Sequence, residues 1–143
     1  VTKLKTLLFL SLALVAGCTN VTSDAARSVY PVTGSSLNTE ALFSAASDFF
    51  GERSYRCDRE REGGILRCYR KLRDLYIHQT RAEVMVLPDD EVHAHTLYTN
   101  RWDEGLIPGE LISKEYTNPD VLAFCEHLKA QALGECRLQP ESG

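Results

Sequence analysis

The stretch SYRCDREREGGILRCYR, residues 54–70, places two short runs of strand composition on either side of Gly63-Gly64. Two adjacent glycines supply the positive φ that a tight reversal needs, so the spacing predicts a β-hairpin. With the turn centred on Glu62-Gly63, Cys57 faces Cys68, Asp58 faces Arg67 and Arg56 faces Tyr69. Opposed strand residues hold their Cα atoms at about 5.5 Å, which a disulfide accepts. The acid–base pair favours the same register.

Working outward, Arg81 to Leu87 and Glu91 to Tyr98 flank Pro88-Asp89-Asp90 and predict a second hairpin, giving a sheet of about four strands. Before the first hairpin, Asn38 or Ser36 can cap a helix whose Leu42, Ala45, Ala46 and Phe49 share one face, with Gly51 just past its end. After the second, residues 100–117 read as irregular, with Leu111-Ile112 returning to the core. Asn118-Pro119-Asp120 is then a helix start, a cap followed by proline at the first helical position. Val121, Phe124, Cys125, Leu128 and Ala132 follow on one face, and Gly134 ends the helix. The expected fold class is α+β: helix, four-stranded antiparallel sheet, helix, in one small disulfide-braced domain over residues 39–143.

The whole chain has 143 residues, 43% apolar and 25% charged, with a formal charge of −4. That suits one folded domain and excludes a nucleic-acid binder built on a strong positive field. Residues 1–17 place Lys3 and Lys5 before an uncharged apolar run of about ten residues, the layout of a secretory signal. A membrane-crossing helix needs roughly 20 apolar residues, so this run is too short to remain as an anchor.

Val15-Ala16-Gly17-Cys18, an apolar residue and two small ones before cysteine, resembles the lipobox of bacterial lipoproteins; the match covers residues 1–18. The resemblance implies cleavage after Gly17, a diacylglycerol on the Cys18 thiol and an acyl group on its new amino terminus. Together two or three chains anchor stably where one is marginal. Thr19, rather than Asp, follows the cysteine, which implies sorting to the periplasmic face of the outer membrane rather than retention at the inner one. Loss of the two leader lysines takes the net charge from −4 to −6. Residues 18–38, rich in Ser, Thr, Gly and Asn, read as the lipidated terminus and a flexible tether with a root-mean-square reach of about 25 Å. Docking of Val29 to Val32 as an edge strand is the alternative.

With Cys18 lipidated, Cys57, Cys68, Cys125 and Cys136 remain, an even number in an exported chain. Elimination leaves Cys125 with Cys136, but unbroken helix would hold them about 16 Å apart. That pair requires the helix to end near Ala130, so the crossed pairings stay open, as do free thiols. The spacings do not match zinc sites.

His93 and His95, two apart on a presumed strand, would project to one side at about 7 Å, a pair able to chelate zinc or copper. A third ligand would have to come from His78, His127 or Asp89-Asp90-Glu91. A polar strand face is the plainer explanation. The chain carries no G-x-S-x-G, G-x-x-x-x-G-K-[ST] or H-E-x-x-H motif, so no enzyme and no cofactor are expected. Charge is segregated: residues 53–81 hold nine bases against four acids, and residues 82–143 hold four bases against twelve acids. Arginines on the first hairpin could engage phosphates or carboxylates of an anionic envelope component or another envelope protein. Alternatively the two halves neutralise each other. The expected function is a membrane-anchored envelope lipoprotein that binds, as an assembly, secretion or envelope-maintenance factor; the alternative is a periplasmic metal-binding lipoprotein using His93 and His95.

Overall fold

In the computed structural model, which describes residues 18–140, helices lie on one face of a single antiparallel sheet. The elements are β1 (Cys18–Ser23), β2 (Arg27–Pro31), α1 (Thr39–Gly51), β3 (Arg56–Glu60), β4 (Ile65–Leu75), β5 (His78–Asp89), β6 (Ala94–Gly105), α2 (Pro119–Ala130) and β7 (Gly134–Leu138). The sheet runs β3-β4-β5-β6-β2-β7, with β1 also on β6. β2 occupies one half of β6 and β1 the other, so residues 18–31 form an interrupted strand along its flank.

Both helices begin as their caps dictate. The Asn38 side chain accepts from the Ala41 amide, and that of Asn118 accepts from the Asp120 amide. From α1, Leu42, Phe43, Ala46, Phe49 and Phe50 are buried; from α2, Val121, Phe124 and Leu128. Both helices pack on Val29, Leu66, Val84, Val86 and Leu97 of the sheet. Phe50 and Phe124 lie with ring centroids 5.1 Å apart, and Tyr55 stands edge-on to Phe50. Full burial of such side chains contributes about 1.5–3 kcal/mol each.

The first hairpin has the expected register: Cys57 opposite Cys68, Asp58 opposite Arg67 and Arg56 opposite Tyr69. Disulfides join Cys57 to Cys68 and Cys125 to Cys136. The second closes because α2 stops at Ala130 and Ala132 reverses the chain at φ +52, so β7 returns beside β2. Gly134 serves close packing rather than the reversal: a Cβ there would meet Leu37 at 3.0 Å and the Tyr30 carbonyl at 3.2 Å.

The expected four-stranded α+β fold is corrected: the sheet has seven strands with two helices, and strand outweighs helix. β4 and β5 meet in an unanticipated hairpin at Tyr76-Ile77, and β6 runs on to Gly105 through a segment read as irregular. The tether expected over residues 18–38 is also corrected. β1 and β2 pair with β6, and Pro31 is followed within eight residues by α1, so residues 18–31 belong to the sheet. The leader and the expected cleavage at Gly17 lie outside the described residues.

Candidate functional site

The inner face of β5 and β6 changes character along its length. Where the helices cover it, the facing residues are Val84, Val86 and Leu97; farther along they are Thr99, Arg101 and Asp103 of β6 with Thr80 and His78 of β5. There the cover is the loop 106–117 instead of a helix. A cleft of about 350 Å³ remains, lined by Leu72, Arg73, His78, Arg101, Asp103 and Leu111 among others.

Asp103, 4% exposed, organises this region. Its carboxylate accepts from Thr80 Oγ1 at 2.8 Å and Arg101 Nε at 2.9 Å, with His78 Nε2 at 3.6 Å. Arg101 also donates through Nη2 to the Ser113 carbonyl, and its guanidinium lies 5.6 Å from the Tyr116 ring. Burial holds the Tyr116 phenol above its ordinary pKa. The cluster thereby fastens the loop to the sheet. His78, 3% exposed, has no partner for Nδ1 among the described residues and packs on Gly105, whose φ is +143°. A Cβ at Gly105 would stand 2.8 Å from that nitrogen and 2.2 Å from the Ile77 carbonyl, so glycine is required there.

The Asp103 carboxylate, engaged by a hydroxyl and a guanidinium with an imidazole adjacent, joins β5, β6 and the loop. The Ser113 hydroxyl, on the wall of the cleft, donates to the Glu115 carbonyl and accepts from the Glu115 amide.

A second polar knot ties the start of α2 to β4, to β6 and to Tyr55 just ahead of β3. Asn118, 1% exposed, donates to Tyr55 Oη at 3.1 Å and to Thr99 Oγ1 at 3.2 Å. Tyr55 donates to Asp120 Oδ2 at 3.0 Å, and Arg70 reaches the same oxygen at 3.2 Å. Burial, with the Asp120 charge acting in the same direction, pushes the Tyr55 phenol up to about 12.

The histidines do not assemble. His93 lies in the turn between β5 and β6 at φ +51°, not on the strand, so the expected one-sided pair with His95 is corrected. His95 contacts Thr39 Oγ1 at 3.0 Å, and burial holds its pKa below the usual value. His127 stacks on Phe49, about 15 Å along α1 from Thr39, and His78 sits at the far end of β5. Asp89 caps its own turn by accepting from the Glu91 amide. No grouping of three metal-ligating side chains occurs among the described residues.

The basic run of residues 53–81 is largely matched within the chain. Seven of its nine bases face an acid: Arg53 and Arg70 reach Asp120, Arg56 Asp58, Arg59 Glu40, Arg67 Glu60 and Glu83, Lys71 Asp74, and Arg81 Glu104. Arg61 and Arg73 form no ion pair among the described residues. A polyanion would find few guanidinium groups unengaged. Sequence reasoning missed the cluster around Asp103 because its members sit where hydrophobic alternation stops; the inward-facing spacing of Arg101 and Asp103 with Thr99 was its one signal. No protein-family model matches the chain, and no curated protein matches it.

Proposed function

We propose that this chain is a bacterial lipoprotein of the cell envelope, acylated at Cys18, held at the periplasmic face of the outer membrane and acting by binding as an assembly, secretion or envelope-maintenance factor. The observation that carries the reading is Val15-Ala16-Gly17-Cys18 closing a basic and apolar leader. Two disulfides support it, because such bonds persist in an exported compartment. A polar cluster that holds a loop to the sheet, with no hydroxyl or thiol set up for attack among the described residues, favours binding over catalysis. No described helix is long and apolar enough to cross a membrane.

Expression of Cys18→Ser in a bacterial host with labelled palmitate tests the anchor. The wild-type chain should take up label and lose its leader, whereas Cys18→Ser should remain an unlabelled precursor. Normal labelling of the variant would overturn the assignment.

A further inference from the structure

The strand registers bring one end of the sheet into a single row. Cys18 pairs with Gly105, Gly105 with His78, and His78 with Leu75. Four strands at about 4.8 Å spacing make a row of about 14 Å. Beyond it the β4–β5 hairpin turns at Tyr76-Ile77, and the Leu106 amide donates to the Ile77 carbonyl, fixing the following loop to the same end.

This end is apolar where solvent meets it. Leu75, Tyr76, Ile77 and Leu106 are exposed, Tyr76 completely, and Leu72 and Leu111 are exposed at the mouth of the adjoining cleft. An exposed cluster of this kind marks a surface that is covered in use. The nearby charges balance: Lys71 is matched by Asp74 and Arg101 by Asp103, while Arg73 has no ion-pair partner among the described residues and Glu110 lies in the loop.

We propose that this end lies on the phospholipid surface, with Leu75, Tyr76, Ile77 and Leu106 seated among the acyl chains beside those carried by Cys18. The inference rests on acylation of Cys18. Its occupant follows from where the leader ends: residue 18 is both the attachment point and the first paired residue of β1, so no slack separates the lipid from the row. A sheet held there presents its apolar corner to the bilayer and its turn at residues 90–93 to the periplasm. Balanced charge makes the contact apolar, so it requires no anionic lipid.

The full-length acylated chain, reconstituted in phosphatidylcholine vesicles with or without bromine on the acyl chains, tests the orientation. In a Trp102→Phe background, Tyr76→Trp supplies a probe at the apolar corner and Val92→Trp supplies one at the opposite end. Bromine should quench emission from position 76 at least twofold and leave position 92 unchanged. Palmitate on Cys18 with no quenching at 76, or equal quenching at both positions, would overturn the orientation and leave the anchor standing. Absence of palmitate would overturn both.

Discussion

Tyr55 shows how much a single buried hydroxyl can carry. Its ring packs edge-on to Phe50 while its oxygen lies between Asn118 and Asp120, so one side chain joins the apolar core to the start of α2. Tyr55→Phe keeps the ring and removes the hydroxyl, leaving Asp120 and Asn118 short of a partner. The expected loss is about 1–2 kcal/mol at neutral pH, read from denaturant midpoints. The pH dependence has a definite sign. Because the neutral phenol is favoured in the folded state, its contribution is fully present below pH 10, the ordinary value, and is lost as pH rises through about 12. Wild-type stability should therefore fall between those values more steeply than that of Tyr55→Phe, measured by thermal melts across the alkaline range.

At the scale of elements, legibility followed the apolar pattern and stopped where it stopped. Both helices announced themselves through asparagine caps and a one-sided face, although Phe43 and Phe50 proved more deeply buried than Ala45. The first hairpin was readable to the residue because its two cysteines fixed the register, although the positive φ of its turn falls on Arg61, Glu62 and Gly63 and not on Gly64 as expected. β5 and β6 were cut short because their inner faces pass from Val84 and Leu97 to Thr80 and Asp103, so alternation ends while the hydrogen bonding continues. β1 resembled a tether for a related reason: its inward Thr22 is buried by polar neighbours, and a strand of Thr and Asn carries no hydrophobic signature. β7 contributes little more than Gly134 and Cys136 to the interior, too little to be seen beforehand. The two disulfides close loops of the same length, about 3 kcal/mol each on loop entropy, yet they restrain different elements. Removing both cysteines of either pair should lower the melting temperature by about 10 °C. The Cys125→Ala, Cys136→Ala variant should also accelerate hydrogen exchange in β7, which pairs with β2 alone, whereas the Cys57→Ala, Cys68→Ala variant should do so in β3.

For the whole molecule, the absence of a tether has a mechanical result. A domain on twenty loose residues samples all orientations, whereas one whose first strand starts at the proposed attachment point has few. Insertion of ten Gly/Ser residues between Cys18 and Thr19 adds roughly 17 Å of slack. In vesicles this variant should keep its palmitate and its membrane retention, while limited proteolysis within residues 106–117 speeds up several-fold as the corner lifts away. Unchanged proteolysis would mean that the acyl chains do not orient the domain. The pairing of β1 with β6 also sets an order of events during biogenesis. Residue 18 cannot find its place until residue 105 has emerged, whereas each cysteine pair is separated by only eleven positions. The Cys57–Cys68 pair, complete once residue 68 has emerged, can therefore oxidise while residue 18 still awaits its partner, whereas the Cys125–Cys136 bond and the β2–β7 seam wait for residues beyond 105.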